Sequence, residues 1–237
     1  MSSAAFNLRR YPEICAILGE EIVDPARRSL ADEAHDRILL SIIRGELTAG
    51  TELKTTKLAE RLGMSRTPVM QALSRLTADG IVSQSLNQRA TVRPGAENWL
   101  VDLHQVRLLL EPEAAGDCVG RIPAAVLSDL QLLVQDARPD KAEGWRTAVR
   151  WLDPGLHLVI AEFSGNLAMR AIIRRCWSYK RLSYEASNDS DRHLRSEWKQ
   201  HAGLVEAMAS GDRDKVAERM EKHLKAAAAG AAEGRIV

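Results

Sequence analysis

The chain has 237 residues, of which 33 are basic and 32 acidic, so it carries almost no net charge. This length accommodates two domains of ordinary size, and the low aromatic content, 4% of residues, favours helices over sheets. The balanced charge excludes the class of uniformly basic proteins that coat nucleic acid, so any surface that binds nucleic acid has to be local. Three widely spaced cysteines, Cys15, Cys118 and Cys176, indicate neither a disulfide framework nor a thiolate zinc site.

The first 28 residues form a leader for which the sequence indicates no role. Ile14, Ile17 and Leu18 have the spacing of a short helix, which Pro12 and Pro25 interrupt. The leader has no signal-peptide pattern, and the chain has no run of roughly 18 apolar residues. We therefore expect a cytoplasmic protein with no membrane partner.

Residues 30–47 show apolar residues at helical spacing, and the next segment, 54–76, predicts two helices joined by a tight turn. Gly63 can adopt the left-handed conformation that ends the first of them, and Ser65 can cap the second by accepting hydrogen bonds from its free amides. Pro68 is tolerated in the first turn of that second helix. A helix with basic and hydroxyl side chains at its N-terminus suits the major groove of double-stranded DNA.

Two short strands, 81–83 and 90–92, are predicted after these helices, around a polar turn. Together the elements predict a winged helix-turn-helix over residues 29–93. The side chains expected to face outward from the second helix and contact DNA bases and phosphates are Arg66, Thr67, Gln71 and Arg75, and Ser65 at the start of that helix is a further expected contact.

The segment 65–93 carries four arginines, Arg66, Arg75, Arg89 and Arg93, against one acid, Asp79, while the other acids of this half precede it. A local basic face is what phosphate contact requires. A solvated helix face accounts for the charge equally well, and an ordinary helical hairpin is the alternative to a DNA-reading motif.

The remainder of the chain is predicted to be helical. Residues 94–98 form a linker, 99–229 contain six amphipathic helices that predict an all-α bundle, and 230–237 form a tail. The predicted fold is thus mostly α, with an N-terminal winged helix-turn-helix and a C-terminal six-helix domain.

Four side chains of this helical part suggest a metal site. Asp153 and His157 are four residues apart, which places both on one face of a helix, and His201 and His223 each lie on an apolar stripe of another helix. A lone histidine on such a stripe is ordinarily a core residue. Three histidines and an aspartate from three helices instead favour a divalent cation of the Zn²⁺, Ni²⁺ or Mn²⁺ class.

The segment LAERLGMSRTPVMQALSRLTADGIV resembles the N-terminal domain of GntR-family bacterial transcription regulators, over residues 30–93. The resemblance implies DNA contact by Arg66 and Thr67, and by Gln71, Arg75 and Arg89. Two positions depart from the family pattern: Met70 stands where arginine is usual, and Arg89 stands at the wing tip where glycine is usual.

Residues 99–228 resemble the ligand-responsive FCD domain of the FadR branch of that family, in its smaller, VanR-like form. Metal-binding members carry Asp-x-x-x-His followed by two further histidines, here Asp153, His157, His201 and His223, although a Pro-Gly pair inside the first motif is poor helix material. The resemblance implies a small organic acid that completes the metal coordination. Arg107 is either its counter-charge or the ion-pair partner of Glu111, one turn away.

The resemblance implies a homodimeric regulator rather than an enzyme, expected to be a repressor, which binds two-fold operator DNA and responds to a small carboxylate effector. Two alternatives stay open. The metal could be purely structural, or the Asp-His-His-His set could activate water in a metallohydrolase with a DNA-binding appendage.

Overall fold

The structure is a computed structural model and describes residues 7–84, 89–140, 144–186 and 190–232. The chain divides into two compact units: residues 24–102 form one, and residues 1–23 together with 103–237 form the other. None of the described helices is long and apolar enough to cross a membrane.

Helices dominate the described part of the chain. In order they are α1 (Pro12–Leu18), α2 (Glu20–Val23), α3 (Leu30–Ile43), α4 (Thr55–Leu62), α5 (Arg66–Ala78), α6 (Trp99–Asp117), α7 (Ala124–Asp136), α8 (Trp145–Phe163), α9 (Leu167–Ala186), α10 (Asp191–Ser210) and α11 (Arg213–Ala232), with 3-10 turns at Leu8–Arg10, Pro25–Arg27 and Ala96–Asn98.

The unit formed by residues 24–102 is built around α3 and α5, which pack against each other. Helix α3 begins with a capping box, in which the Ser29 hydroxyl accepts from the Asp32 amide and the Asp32 carboxylate accepts from the Ser29 amide. Helix α4 ends where Gly63 takes the left-handed conformation, with φ 67° and ψ 32°. The predicted helix-turn-helix is therefore confirmed.

A two-stranded antiparallel ribbon follows α5, formed by β1 (Val82–Ser83) and β2 (Thr91–Val92). Val82 lies opposite Val92 in this ribbon, and Glu52 adds an isolated bridge to Thr91. The predicted winged helix-turn-helix is thus confirmed, although the turn at 85–88 lies outside the described residues.

The other unit contains the six predicted helices, α6 to α11, and α8 lies at the centre of its core. Every residue of α8 from 152 to 161 is buried, and α7, α9 and α10 all pack against this helix. The predicted all-α domain is confirmed, and the helix expected over 145–163 has those bounds.

The leader supplies a further helix to this unit. Helix α1 packs against α7 and α8, and three of the leader's side chains, Tyr11, Ile14 and Leu18, are buried in the same core. Hydrogen bonds attach α1 to its neighbours: the amide of Glu13 donates to Asp129, and Arg174 donates to the carbonyl of Ile17. Residues 7–23 of the leader are therefore a structural part of the helical unit.

Candidate metal centre and nucleic-acid interface

Four side chains from three helices converge at one point in the helical unit. Asp153 and His157 come from α8, His201 from α10 and His223 from α11, and one ligand atom from each lies within 4.8 Å of the others. The Nε2 atom of His157 is 3.4 Å from Asp153 Oδ1 and 3.3 Å from His223 Nε2. The Nε2 atom of His201 is 3.3 Å from Asp153 Oδ1 and 3.2 Å from His223 Nε2.

These separations fit one divalent cation. Donors bonded at about 2.1 Å to a common ion lie about 3.0 to 3.4 Å apart when they are neighbours in an octahedral or tetrahedral arrangement. Three imidazole nitrogens and a carboxylate oxygen form a donor set that Zn²⁺ and related ions accept. The structure therefore brings together the four side chains that the sequence suggested as ligands, and their binding of a cation stays a prediction.

The four residues are removed from solvent: the exposed fraction is 0% for His157 and His201, 3% for Asp153 and 6% for His223. Burial lowers the pKa of His157, and for His223 burial and the neighbouring histidines hold the pKa well below its usual range. Burial alone would raise the pKa of Asp153, but the hydrogen bond and charge of His201, with the charge of His157, hold it well below its usual range. The lowered pKa values favour neutral His157 and His223 and an ionised Asp153, the forms of these groups that bind a metal.

Helix α8 is continuous through Pro154 and Gly155, the pair that separates its two candidate ligands. These are the two residue types least suited to a helix interior, at a cost of about 3 kcal/mol for proline and about 1 kcal/mol for glycine relative to alanine. Gly155 is close-packed, since a Cβ there would lie 3.3 Å from Ile14 Cγ2 and 3.7 Å from Leu133 Cδ2. Packing from α1 and α7 therefore compensates for a weak helical sequence.

Two of the three imidazoles have a partner that orients the ring. The Nδ1 atom of His157 is 2.5 Å from Glu111 Oε2, and the Nδ1 atom of His223 is 3.0 Å from Gln200 Oε1. Both partners accept, so Nδ1 carries the proton and the Nε2 lone pair faces the other donors. The buried Nδ1 of His201 has no hydrogen-bond partner within the described ranges.

Glu111 is fully buried on α6, and three groups donate to its carboxylate. Arg107 Nε lies 2.7 Å and Trp177 Nε1 lies 3.0 Å from Oε1, while His157 approaches Oε2. Arg107 also stacks on Trp177, with 4.3 Å from its guanidinium carbon to the ring centre. Burial would raise the pKa of Glu111, but the charges of Arg107 and His157 hold it far below its usual value.

Sequence reasoning missed Glu111 and Gln200 as partners of the site. The spacing of Arg107 and Glu111 pointed to their ion pair, which is present, but no sequence signal linked Glu111 to a histidine 46 positions away. A contact between Arg107 and an effector stays a prediction.

The predicted DNA-contacting side chains on α5 lie on one face of the unit formed by residues 24–102. Arg66, Thr67, Gln71 and Arg75 are all exposed, as is Met70. Below them, Val69, Ala72, Leu73 and Leu76 are buried against the unit's core. The exposed surface of α5 is therefore mostly polar, with the apolar Met70 among its polar side chains.

Ser65 occupies the N-cap position of α5 but makes no side-chain capping bond, so that part of the prediction is wrong. A capping hydroxyl accepts from the second or third amide of its helix. The third residue here is Pro68, which has no amide hydrogen. Ser65 is exposed beside Arg66, and its contact with DNA stays a prediction.

The basic face is less positive than the charges of residues 65–93 suggest, because two acids from earlier in the chain pair with it. Asp32 at the start of α3 contacts Arg75, and Glu52 lies 2.6 Å from Arg89. Partial burial opposes the shift, but hydrogen bonds from Ser29 and Arg75 lower the pKa of Asp32 to about 2. Within the described residues, Arg66 forms no such ion pair.

Comparison with known protein families gives one match in each of the two parts of the chain. Residues 30–92 match the family described as bacterial regulatory proteins, gntR family, and residues 102–226 match the FCD domain. The chain belongs to the GntR family of bacterial transcription regulators. It is therefore a DNA-binding regulator of the GntR/FCD type, and its family is one of regulators rather than enzymes, which removes the metallohydrolase alternative.

Named relatives of this GntR protein are also regulators. A protein of Paenarthrobacter nicotinovorans, named "Probable D-xylose utilization operon transcriptional repressor", is 26% identical over 207 residues, which cover 84% of this chain and 88% of that relative. The regulator McbR of Escherichia coli strain K12 is 28% identical over 174 residues, 72% of this chain and 78% of McbR. The solved structure of Escherichia coli McbR/YncC has the same fold, with TM-score 0.60 and 22% identity over 87% of this chain and 99% of that one.

Proposed function

We propose that this regulator binds a divalent cation at Asp153, His157, His201 and His223, and that a small carboxylate completes the coordination and changes the affinity of the winged domain for operator DNA. The observation that carries this proposal is the convergence of three buried Nε2 atoms and one carboxylate oxygen within 4.8 Å. Such a group of lone pairs, kept from water and without a cation, would be costly to assemble.

In this proposal the residues of the site have different roles. Asp153 and the three imidazoles would hold the cation, and Glu111 and Gln200 would keep two of the rings in the required tautomer. The bound cation would supply a Lewis-acidic position for the carboxylate of the effector. In this proposal Arg107, buried beside Glu111, adds the positive charge that favours an organic acid over a neutral ligand.

On the DNA side, the proposal is that two copies form a dimer in the cytoplasm and each winged domain reads one half of a two-fold operator. Base and phosphate contacts would come from the α5 face and from the wing, through Ser65, Arg66, Thr67, Gln71, Arg75 and Arg89. A coupling free energy of roughly 1–3 kcal/mol between the metal site and DNA would change affinity several-fold to about a hundredfold. Repression, released or strengthened by the acid, would follow from that change.

The first test concerns the cation. Chelated and dialysed protein is titrated with Zn²⁺, Ni²⁺ and Mn²⁺ while its melting temperature is measured. A ligand at a hundred times its Kd stabilises the native state by about 2.7 kcal/mol. His201→Ala should abolish this stabilisation, whereas His193→Ala, a histidine on the same helix that pairs with Glu197, should retain it. Equal stabilisation of both variants would refute the site.

The second test concerns the effector and the DNA. A panel of carboxylates is added with and without the best cation, and binding to the protein's own upstream DNA is followed by fluorescence anisotropy. We expect an acid that stabilises the protein only in the presence of metal and shifts the operator Kd. A cation that stabilises the protein but leaves operator affinity and acid binding unchanged would instead identify a structural metal.

A further inference from the structure

We propose that helix α1 of the leader supports the geometry of the proposed metal site. In this proposal Ile14 positions the ligand pair Asp153 and His157 by packing on Gly155. This inference rests on the proposed metal site and assigns a role to a segment that precedes the DNA-binding domain in sequence. The evidence lies in the sequence of α8, in the contact at Gly155 and in the hydrogen bonds that hold α1 in place.

The first step concerns the turn of α8 between the two ligands. Both donors must point to one side, which requires regular helical geometry from residue 153 to residue 157. The turn contains Pro154 and Gly155, the residues with the lowest helix propensity. Because the local sequence does not favour the helix, tertiary packing has to maintain the spacing of the two donors.

The second step concerns what packs there. A Cβ at residue 155 would lie 3.3 Å from Ile14 Cγ2, closer than an ordinary van der Waals contact, and 3.7 Å from Leu133 Cδ2. Gly155 is not among the glycines with positive φ, so its backbone conformation does not require glycine. The close approach of the fully buried Ile14 side chain therefore accounts for a glycine at residue 155.

The third step is the attachment of α1 itself. A helix of seven residues has little stability alone, and α1 is held by polar contacts at both ends. At its start, the Asp129 carboxylate accepts from the amide of Glu13 at 2.9 Å, a favourable place for an anion. Near its end, Arg174 donates to the carbonyl of Ile17 at 2.8 Å. Ile14 is therefore held against α8 by contacts to α7 and α9.

The experiment measures Co²⁺ affinity and the stability of the metal-free protein separately, on the full chain. Co²⁺ is titrated by its ligand-field absorption, and stability is measured by urea unfolding in chelator. Ile14→Ala should raise the Co²⁺ Kd roughly tenfold, the lower end of the range for groups that support metal ligands from outside the coordination shell. Leu18→Ala, an equally buried residue of the same helix, should change that Kd less than twofold.

A double-mutant cycle identifies the contact. Gly155→Ala adds a methyl group against Ile14 and should raise the Kd in the wild-type background, whereas the same change in the Ile14→Ala background meets a vacated space and should raise it much less. Ile14→Leu removes the Cγ2 methyl at nearly constant volume, so it replaces Ile14→Ala if that variant does not fold.

The outcomes are distinct. A Kd effect specific to Ile14 and coupled to Gly155 supports the role of the leader. Equal Kd effects at Ile14 and Leu18, or additive effects of Ile14 and Gly155, overturn it while the metal site stands. A wild-type chain whose urea unfolding is not shifted by added Co²⁺ overturns the proposed metal site and this inference together.

Discussion

The carboxylate of Glu111 lies 2.5 Å from Nδ1 of His157, and neither side chain is exposed to solvent. This contact connects α6, which carries none of the four candidate ligands, to the face of α8 that carries Asp153 and His157. An acceptor at Nδ1 fixes the tautomer of the ring and makes Nε2 a better donor. Glu111 therefore belongs to the site although it does not face the ligand atoms.

Glu111→Gln is expected to weaken metal binding by a factor of about 10 to 100, the usual cost of losing such a partner. The amide keeps the shape of the side chain but loses the charge that pairs with Arg107. Isothermal titration with Zn²⁺ measures the effect. Glu113→Gln is the control, since it neutralises an exposed acid of the same helix that pairs with Arg213 at 2.7 Å. Equal affinities of the two variants would contradict the orienting role.

His104 should make the free energy of unfolding depend on pH. Burial, with the charge of Arg107, lowers its pKa to about 4, and its Nε2 lies 2.9 Å from the carbonyl oxygen of Leu224. The unfolded chain, with an ordinary histidine pKa of about 6.5, binds more protons than the folded chain between these two values. Stability from this group is complete above pH 6.5 and is lost as the pH falls toward 4.

His104→Gln removes that titration and retains a donor for the Leu224 carbonyl. Between pH 7 and pH 5 the wild type should lose about 2 kcal/mol more free energy of unfolding than this variant. Urea unfolding in chelator at several pH values gives the difference, from which the contributions of the other histidines cancel. Parallel pH curves for the two proteins would show that His104 is not buried in its neutral form.

Met70 is 56% exposed on the proposed reading face of α5. Met70→Arg adds a positive charge at that face, so operator affinity should rise and the slope of log K against log salt should steepen by about 1. Fluorescence anisotropy at several salt concentrations measures both quantities. Leu167→Arg adds the same charge at an exposed position of the helical unit, and a similar gain in that variant would argue against this placement of the reading face.

Glu52 pairs with Arg89 of the wing at 2.6 Å. Glu52→Gln releases this arginine and removes an anion close to the proposed phosphate contacts, so DNA affinity should increase several-fold at low salt. Glu60→Gln, at an exposed acid of α4, makes the same change in net charge and should have a smaller effect. If both variants bind DNA equally well, Arg89 does not contribute to the interface.

Helical periodicity accounts for most of what the sequence could predict. Residues four apart share a face, and an apolar stripe faces a core, so Asp153, His157, His201 and His223 could be placed inward before their convergence was known. Periodicity could not predict the contact of Glu111 with His157, because these residues are 46 positions apart and their contact depends on how α6 packs on α8.

Two local features show where pattern reasoning failed. Ser65 was expected to cap α5, although Pro68 three residues later removes one of the two amides that ordinarily donate to a cap. The charge of the proposed DNA-binding face was predicted from residues 65–93 alone. Asp32 of α3 and Glu52, which bridges to β2, pair with arginines of that face from outside this segment. The first error could have been avoided from sequence, while the second required knowledge of tertiary packing.

The assignment of residues 1–23 and 103–237 to one compact unit makes residues 24–102, which include the winged helix-turn-helix, an insertion in the chain of the helical unit. Two covalent connections, after residue 23 and before residue 103, join this insertion to the helical unit. A fragment cut at the start of the FCD match, residue 102, would discard α1 and expose the core surface that Tyr11, Ile14 and Leu18 cover. Cutting this protein at its family boundaries would therefore leave the core of the helical unit incomplete, and a fragment that keeps this core whole would have to join α1 to α6.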